Sequence, residues 1–144
     1  MNNIHTRLSK KLEKYRRQLP PSDKDWPSDV RRAVAYIRKH LFDPRLTVNK
    51  MKLQCHLNSK NFSGKFKYYV GERPKHFWLS HRIAIAKKVL ADHQFREVTL
   101  IELAISTGFN HASSFTKAFK SREGITPGKY RIRQKLERKA AKRD

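Results

Sequence analysis

Residues 62–77 read FSGKFKYYVGERPKHF, and residues 115–130 read FTKAFKSREGITPGKY. Both stretches have two phenylalanines four residues apart, followed by a glycine, a proline and an aromatic residue, and the matching positions are 53 residues apart throughout. A pattern that recurs at a fixed offset is typical of a duplicated supersecondary unit. The sequence therefore predicts two copies of one small fold.

The copies continue upstream with an offset of 52 residues. Three apolar pairs show this: Val48 with Leu100, Met51 with Leu103, and Leu57 with Phe109. Each copy is then a short helix, a turn and a second helix, which is a helix-turn-helix. We predict the first unit over about residues 47–70 and the second over about residues 99–121.

Capping residues indicate where the helices of these units begin. Thr47 and Thr99 can each accept a hydrogen bond from an unpaired amide, and Asn58 can do the same. Gly108 supplies the turn of the second unit, whereas the first unit has His56 and Leu57 in its turn. The predicted helices span residues 48–55, 59–70, 100–107 and 112–121.

A long helix is predicted between the two units. Pro74 suits a first helical turn, and apolar residues continue to about His93. About 18 helical residues span roughly 27 Å. This helix would act as a rigid spacer.

The two ends of the chain differ in composition from its centre. Residues 4–19 form an amphipathic basic helix that could pack on the domain, pair with another chain or lie against DNA phosphates, and we favour packing or pairing. Prolines make residues 20–27 a linker, so residues 1–28 precede a domain over residues 29–131. The basic tail, residues 132–144, has few apolar anchors and is predicted to be frayed or disordered unless bound.

The charge of the chain indicates its partner. It carries 34 Lys and Arg against 12 Asp and Glu, which gives a formal net charge of +22 and a pI near 10.6. The excess runs through the central part and not only the ends. Such a charge is typical of nucleic-acid binding, although ribosomal and membrane-surface proteins share it. Rigid helices without a strand platform favour double-stranded DNA over RNA.

Several other classes of protein are excluded. No apolar run reaches the roughly 18 residues of a membrane span, and the N-terminus has no apolar signal region. The single cysteine, Cys55, rules out an internal disulfide. The histidines do not pair at metal-binding spacing, and no catalytic motif is present, so we expect no metal, no cofactor and no enzyme activity.

The second helix of each unit has a polar face opposite its phenylalanines. At 100° per residue, Phe115 and Phe119 lie on one side of the helix 112–121, and short polar residues and lysines lie on the other. Such a face fits the DNA major groove. The candidates for base-edge contacts are Ser113, Thr116, Lys117, Lys60 and Ser63. The candidates for phosphate contacts are Thr47, Asn61, Lys67, Thr99, His111, Lys120, Lys129 and Arg131.

Residues 101–131, IELAISTGFNHASSFTKAFKSREGITPGKYR, resemble the most diagnostic segment of the AraC/XylS family of bacterial transcription regulators. Lys117 stands where that family has arginine, and Arg82 and Ala86 match its linking-helix signature. The resemblance covers about residues 29–131. It implies an all-α fold of two helix-turn-helix subdomains joined by a long linking helix, to which this chain adds the N-terminal amphipathic helix.

The resemblance also implies a function. Members bind successive major-groove faces on one side of the DNA, and they generally activate transcription by contacting RNA polymerase. The chain resembles the smaller members that have no small-molecule effector domain. We therefore expect a cytoplasmic, nucleoid-associated regulator, with possible self-association through residues 4–19.

The other departures from the family are concentrated in the first unit. Lys52 replaces a small alanine, Gly64 replaces arginine in the reading helix, and Lys65 replaces an apolar residue. These changes leave base reading by the first unit open, since lysines there can hold phosphates without specifying sequence. The alternative is an architectural or accessory DNA-binding protein with mainly electrostatic, weakly specific binding.

Overall fold

The computed structural model describes residues 3–143, and this part of the chain is helical, without strands. The fold class predicted from the sequence is confirmed. In chain order the helices are α1 (Ile4–Gln18), α2 (Ser28–Lys39), α3 (Val48–Gln54), α4 (Phe62–Val70), α5 (Pro74–Ala91), α6 (Leu100–Ser106), α7 (Ala112–Glu123) and α8 (Pro127–Arg143). A short 3-10 helix, His93–Phe95, follows α5.

The predicted threonine caps are confirmed. The Thr47 side chain accepts a hydrogen bond from the Lys50 amide at 3.0 Å, which starts α3. Thr99 accepts one from the Glu102 amide at 3.0 Å, and the Glu102 carboxylate accepts one from the Thr99 amide at 3.0 Å. This reciprocal capping box fixes the start of α6.

The predicted start of the second helix in the first unit is wrong. α4 begins at Phe62 rather than at residue 59, and its N-cap is Asn61 rather than Asn58. Lys60 therefore lies in the turn before the helix. The physical reason is that the phenylalanine pair, and not an asparagine cap, anchors the helix, because Phe62 and Phe66 are fully buried.

Two apolar cores form two lobes, one for each helix-turn-helix. The first-lobe core includes Val30, Ala33, Val34, Ile37, Leu41, Leu46, Met51, Leu57, Phe62, Phe66 and Trp78. The second-lobe core includes Ile83, Ile85, Ala86, Val89, Leu90, Phe95, Val98, Leu103, Ala104, Phe109, Phe115, Phe119 and Tyr130. α5 supplies residues to both cores, so it is the structural link between the lobes.

α5 is an 18-residue helix with Pro74 in its first turn. It ends at Ala91, two residues before the predicted end, because the Asp92 side chain accepts a hydrogen bond from the Gln94 amide at 3.0 Å. That contact starts the 3-10 helix instead. The spacer predicted from the sequence is otherwise present.

Arg82 connects the lobes through the middle of α5. Its Nε donates to the carbonyl of Leu41 at 2.7 Å and its Nη2 to that of Asp43 at 3.0 Å. Its guanidinium carbon lies 5.6 Å from the ring centroid of Phe109, in the second lobe. Burial lowers the pKa of this side chain to about 10, while Asp43 opposes the shift. The group still carries its charge at neutral pH.

α1 packs along the domain and contacts both lobes. Leu8 and Leu12 are buried in the second-lobe core, and Leu19, just after the helix, is buried in the first. Between them, the Tyr15 hydroxyl is 2.9 Å from Nδ1 of His81 on α5. Of the arrangements left open by the sequence, packing on the domain is the one observed.

The prediction of a frayed tail is wrong. α8 starts inside the domain, where Pro127 and Tyr130 are buried, and continues as a helix to Arg143. The Tyr130 ring packs edge-on against Phe119 with centroids 5.5 Å apart. Farther along, the Arg138 side chain donates to the carbonyl of Ala91 at the end of α5. These long-range contacts order a segment with few apolar residues of its own.

Candidate nucleic-acid interface

α7 presents one polar face to solvent. Phe115 and Phe119 are fully buried on its inner side. On the outer side Ser113 and Lys117 are exposed, as is Lys120, whereas Thr116 is half-buried. The structure thus brings together the base-edge candidates of the second unit on one helix.

The C-terminal half of α7 is fixed to α5 by polar contacts. Arg122 donates to the Ser80 hydroxyl at 3.0 Å and to the carbonyl of His76 at 3.3 Å. Glu123 forms an ion pair with Lys87 at 3.1 Å. Together with the buried rings, these contacts hold the exposed face of α7 in a fixed orientation.

The first unit presents its candidates over a shorter helix. Ser63 is half-buried on the first turn of α4, and Lys60 is exposed in the turn before it. Lys67 and Asn61 are also exposed. The base-edge candidates of the two units therefore lie on α4 with its preceding turn and on α7, in separate lobes.

Lys65 forms a contact within the first lobe. Its Nζ forms an ion pair with the Asp29 carboxylate at 2.8 Å. This contact joins α4 to α2, so Lys65 stabilises the first lobe and does not point toward a ligand. Its partner could not be identified from helical periodicity, because Asp29 is 36 residues away in the chain.

The candidates for phosphate contacts are mostly exposed. Thr47 and Thr99 cap α3 and α6 while remaining at the surface. A hydroxyl that accepts a hydrogen bond from a backbone amide can still donate its own proton to a phosphate oxygen. His111, Lys120 and Lys129 are exposed as well.

Arg131 is the exception among these candidates. It is half-buried, and its Nε and Nη2 atoms are buried without a hydrogen-bond partner among the described residues. Burial also lowers the pKa of its guanidinium. Because two of its three nitrogens point into the protein, only Nη1 is left for the phosphate contact, which stays a prediction.

An open groove of about 730 Å³ separates the lobes above α5. One wall is the start of α3, with Thr47 and Asn49, and the other is α7, with Ser114, Lys117 and Ser121. Lys75 and Arg82 of α5 also line it. The exposed face of α7 is thus continuous with a groove that has a largely apolar lining and three basic side chains, Lys75, Arg82 and Lys117.

The turns of the two units each contain a residue with a positive φ, but the residue differs. Gly108 has φ +101°, which suits glycine. His56, 52 residues earlier, also has a positive φ, +55°. Histidine is not a typical turn residue, so this strained position could not be predicted from residue type. The 52-residue offset of the repeat, which aligns His56 with Gly108, is the signal that indicates it.

Residues 3–143 contain no group of three or more His, Cys, Asp or Glu side chains placed to hold a metal ion. None of the described helices has the length and apolar character of a membrane span.

Residues 54–133 match the family model described as a helix-turn-helix domain, of the AraC type. The chain belongs to the AraC-type helix-turn-helix family. AraC-type domains are DNA-binding domains of transcription regulators and not enzymes. The resemblance inferred from residues 101–131 is therefore confirmed.

The relatives of this chain include two bacterial proteins named as transcriptional regulators. The chain is 34% identical over 99 residues to the uncharacterized HTH-type transcriptional regulator YobQ of Bacillus subtilis, covering 69% of this chain and 39% of that protein. It is 30% identical over 97 residues to the probable transcriptional regulator LumQ of Photobacterium leiognathi, covering 67% and 38%. The chain thus spans about two fifths of the length of these curated relatives.

Solved structures of AraC-type domains share the fold. The C-terminal domain of AraT, a response regulator from Geobacillus stearothermophilus, has a TM-score of 0.67 and 27% identity, with 76% of this chain and 88% of that chain covered. The DNA-binding domain of the global transcriptional factor AdpA, solved with a target DNA, has a TM-score of 0.65 and 20% identity, with 78% and 97% covered.

Proposed function

We propose that this protein regulates transcription by binding a defined double-stranded DNA sequence, which it reads mainly through α7. The observation that carries the proposal is the exposed face of α7. Ser113, Thr116 and Lys117 lie together on a helix whose opposite side is buried and whose end is fixed to α5. A rigid helix with short hydrogen-bonding side chains and lysines fits the major groove.

The charge supports DNA as the partner. A net charge of +22 attracts a polyanion at long range. The exposed phosphate candidates are spread over both lobes and include Thr47, Lys67, Thr99, Lys120 and Lys129. Contacts of this kind set the position and register of the protein on the duplex, and base contacts then supply the specificity.

The fixed geometry of the lobes supports simultaneous binding by both. Arg82 joins them through α5, and α1 packs on both cores. We propose that α4 and α7 enter successive major-groove faces on one side of the DNA. The groove between the lobes then faces the intervening backbone, where Lys75 lies near phosphates.

The wider role follows from the family. We propose that the bound protein activates transcription through contact with RNA polymerase in the cytoplasm, at the nucleoid. Self-association through residues 4–19 is not part of this proposal. That pairing would need the apolar face of α1, and Leu8 and Leu12 of this face are buried in the second-lobe core.

The test is selection of binding sites from a random DNA pool. We expect one recurring site, bound at least roughly 10³-fold more tightly than scrambled DNA of the same length at physiological salt. Selection without enrichment, together with tight and salt-sensitive binding to any duplex, would instead support the architectural alternative. Genomic footprinting with the selected sequence as a guide then identifies the regulated promoters.

A further inference from the structure

In the first reading helix, the Asn61 side chain occupies the space beside Gly64. A Cβ added to Gly64 would lie 2.7 Å from both Nδ2 and Oδ1 of Asn61. Side-chain carbons do not approach other atoms so closely. The carboxamide of Asn61 therefore lies directly on the backbone of Gly64, in the space that another residue would fill with its own side chain.

This carboxamide is on the outer face of α4. At 100° per residue, Gly64 is opposite Phe62 and Phe66, and both rings are fully buried. Asn61 is exposed. The amide group is thus displayed on the face of α4 that points away from the first-lobe core, next to exposed Lys67.

The Asn61 side chain is not used to cap the helix. Asn61 is the N-cap residue of α4, yet its side chain makes no capping hydrogen bond. By contrast, the Thr47 and Thr99 side chains, at the caps of α3 and α6, accept one each. The amide of Asn61 keeps both its donor and its acceptor for a ligand.

Glycine inside a helix is unfavourable compared with alanine. Gly64 therefore lowers the stability of α4. The geometry points to a compensating role, because the absence of a side chain at Gly64 leaves room for the Asn61 amide. In the sequence, Gly64 left open whether the first lobe contacts bases. In the structure, the same glycine allows the Asn61 amide to take the position from which it can contact a base.

We propose that Asn61 is the base-reading residue of the first helix-turn-helix and that Gly64 positions its carboxamide by leaving the space that the carboxamide occupies. The base is adenine in the major groove, because a carboxamide can accept a hydrogen bond from adenine N6 while donating one to N7. This inference rests on the proposed function, since α4 must enter the major groove. It replaces the phosphate contact predicted for Asn61 from the sequence.

The experiment compares three single variants on the selected site. Asn61→Ala is expected to lower affinity for this site by about 5- to 150-fold, and to make the four bases nearly equal at one position. Gly64→Ala is expected to lose the same preference, because the new methyl displaces the amide, while its melting temperature stays the same or rises. Asn58→Ala, an exposed asparagine in the same turn, is the control and leaves both quantities unchanged.

The double variant, Asn61→Ala with Gly64→Ala, distinguishes a positioning role of Gly64 from a direct contact between residue 64 and DNA. If Gly64 acts only through Asn61, Gly64→Ala changes nothing further in the Asn61→Ala background. If Gly64→Ala lowers affinity equally in the wild-type and Asn61→Ala backgrounds, the added methyl group contacts the DNA itself. That result would overturn the positioning role of Gly64.

Three further outcomes would overturn the inference. Equal losses on selected and scrambled DNA for Asn61→Ala would make Asn61 a phosphate contact. A wild-type protein that prefers its site, together with an Asn61→Ala variant that retains every base preference, would remove the inference but leave the proposed function intact. A wild-type protein without any preferred site would contradict both.

Discussion

A Cβ atom added to Gly108 would lie 2.7 Å from Cζ of Arg82. The turn of the second helix-turn-helix is therefore closed onto the guanidinium that holds the Leu41 and Asp43 carbonyls of the first lobe. Although the end of an arginine side chain is usually mobile, this one is only 4% exposed and is held by two hydrogen bonds. The contact couples the two lobes through one buried charge.

Gly108→Ala should consequently cost more stability than the same change at Gly71. Both glycines have nearly equal φ, +101° and +102°, so the backbone strain is shared, but nothing lies within 4 Å of a Cβ at Gly71. Displacing Arg82 breaks hydrogen bonds of a charged group, each worth about 1.5–3 kcal/mol. We expect the unfolding free energies from urea titration to differ by at least about 1.5 kcal/mol. Equal losses would show that Arg82 moves aside freely.

Leu12→Ala tests the docking of α1. Leu12 is 7% exposed in the second-lobe core, and truncation of a buried leucine typically costs about 2–5 kcal/mol. Leu53→Ala is the matched control, because Leu53 is 73% exposed and its truncation should change stability by less than about 0.5 kcal/mol. The measurement is the free energy of unfolding of each variant relative to wild type. If both variants lose only a similar, small amount of stability, α1 is detached from the domain in solution.

The burial of His81 predicts a pH dependence of the protein's stability. Burial lowers the pKa of His81 below its ordinary value of 6.5, while Glu72 opposes the shift. The unfolded chain therefore takes up this proton more readily than the folded protein. The stability contributed by neutral His81 is complete above the ordinary pKa and decreases as the pH falls through it.

The measurement is the unfolding free energy at a pH above and a pH below 6.5. Wild type should lose more stability on acidification than His81→Gln, which lacks the titrating ring. A smaller decline remains in the variant, because burial, together with the charge of Lys39, also lowers the pKa of His40. If wild type and His81→Gln lose the same unfolding free energy on acidification, His81 does not contribute to the pH dependence of stability.

The strained turn of the first unit predicts a stabilising change. His56 has φ +55°, and a left-handed conformation costs a residue with a Cβ roughly 1–2 kcal/mol. His56→Gly relieves this strain and loses part of the gain to the greater freedom of the unfolded chain, so we expect up to about 1 kcal/mol of added stability. The same change at exposed His5, within α1, should destabilise instead. The measurement is the melting temperature of both variants. A melting temperature of His56→Gly below that of wild type would contradict the prediction.

Much of the fold could be predicted because its signals are local. The repeated phenylalanine pair predicted the two buried faces of α4 and α7, and Thr47 and Thr99 predicted two helix starts that the structure confirms. Gly108 was predicted as a turn residue and has a positive φ. In each case the deciding interaction lies within a few residues of the signal.

The features that could not be predicted depend on distant contacts. α8 continues to Arg143 because Arg138 reaches the carbonyl of Ala91, 47 residues away in sequence. Lys65 pairs with Asp29, which periodicity alone cannot identify. In the candidate interface, the faces of the helices could be predicted, but the position of the Asn61 amide over Gly64 could not, since helical periodicity does not give side-chain rotamers.

The central claim, that α7 carries most of the base reading, is tested most directly by Lys117→Ala on the selected site and on scrambled DNA. We predict a loss of about 1–3 kcal/mol on the selected site, with little change on scrambled DNA, because a lysine on guanine acceptors contributes mainly to discrimination. Lys139→Ala, an exposed lysine on α8, should weaken binding to both DNAs slightly and equally. Equal losses on both DNAs for Lys117→Ala would make Lys117 a phosphate contact and would contradict the claim.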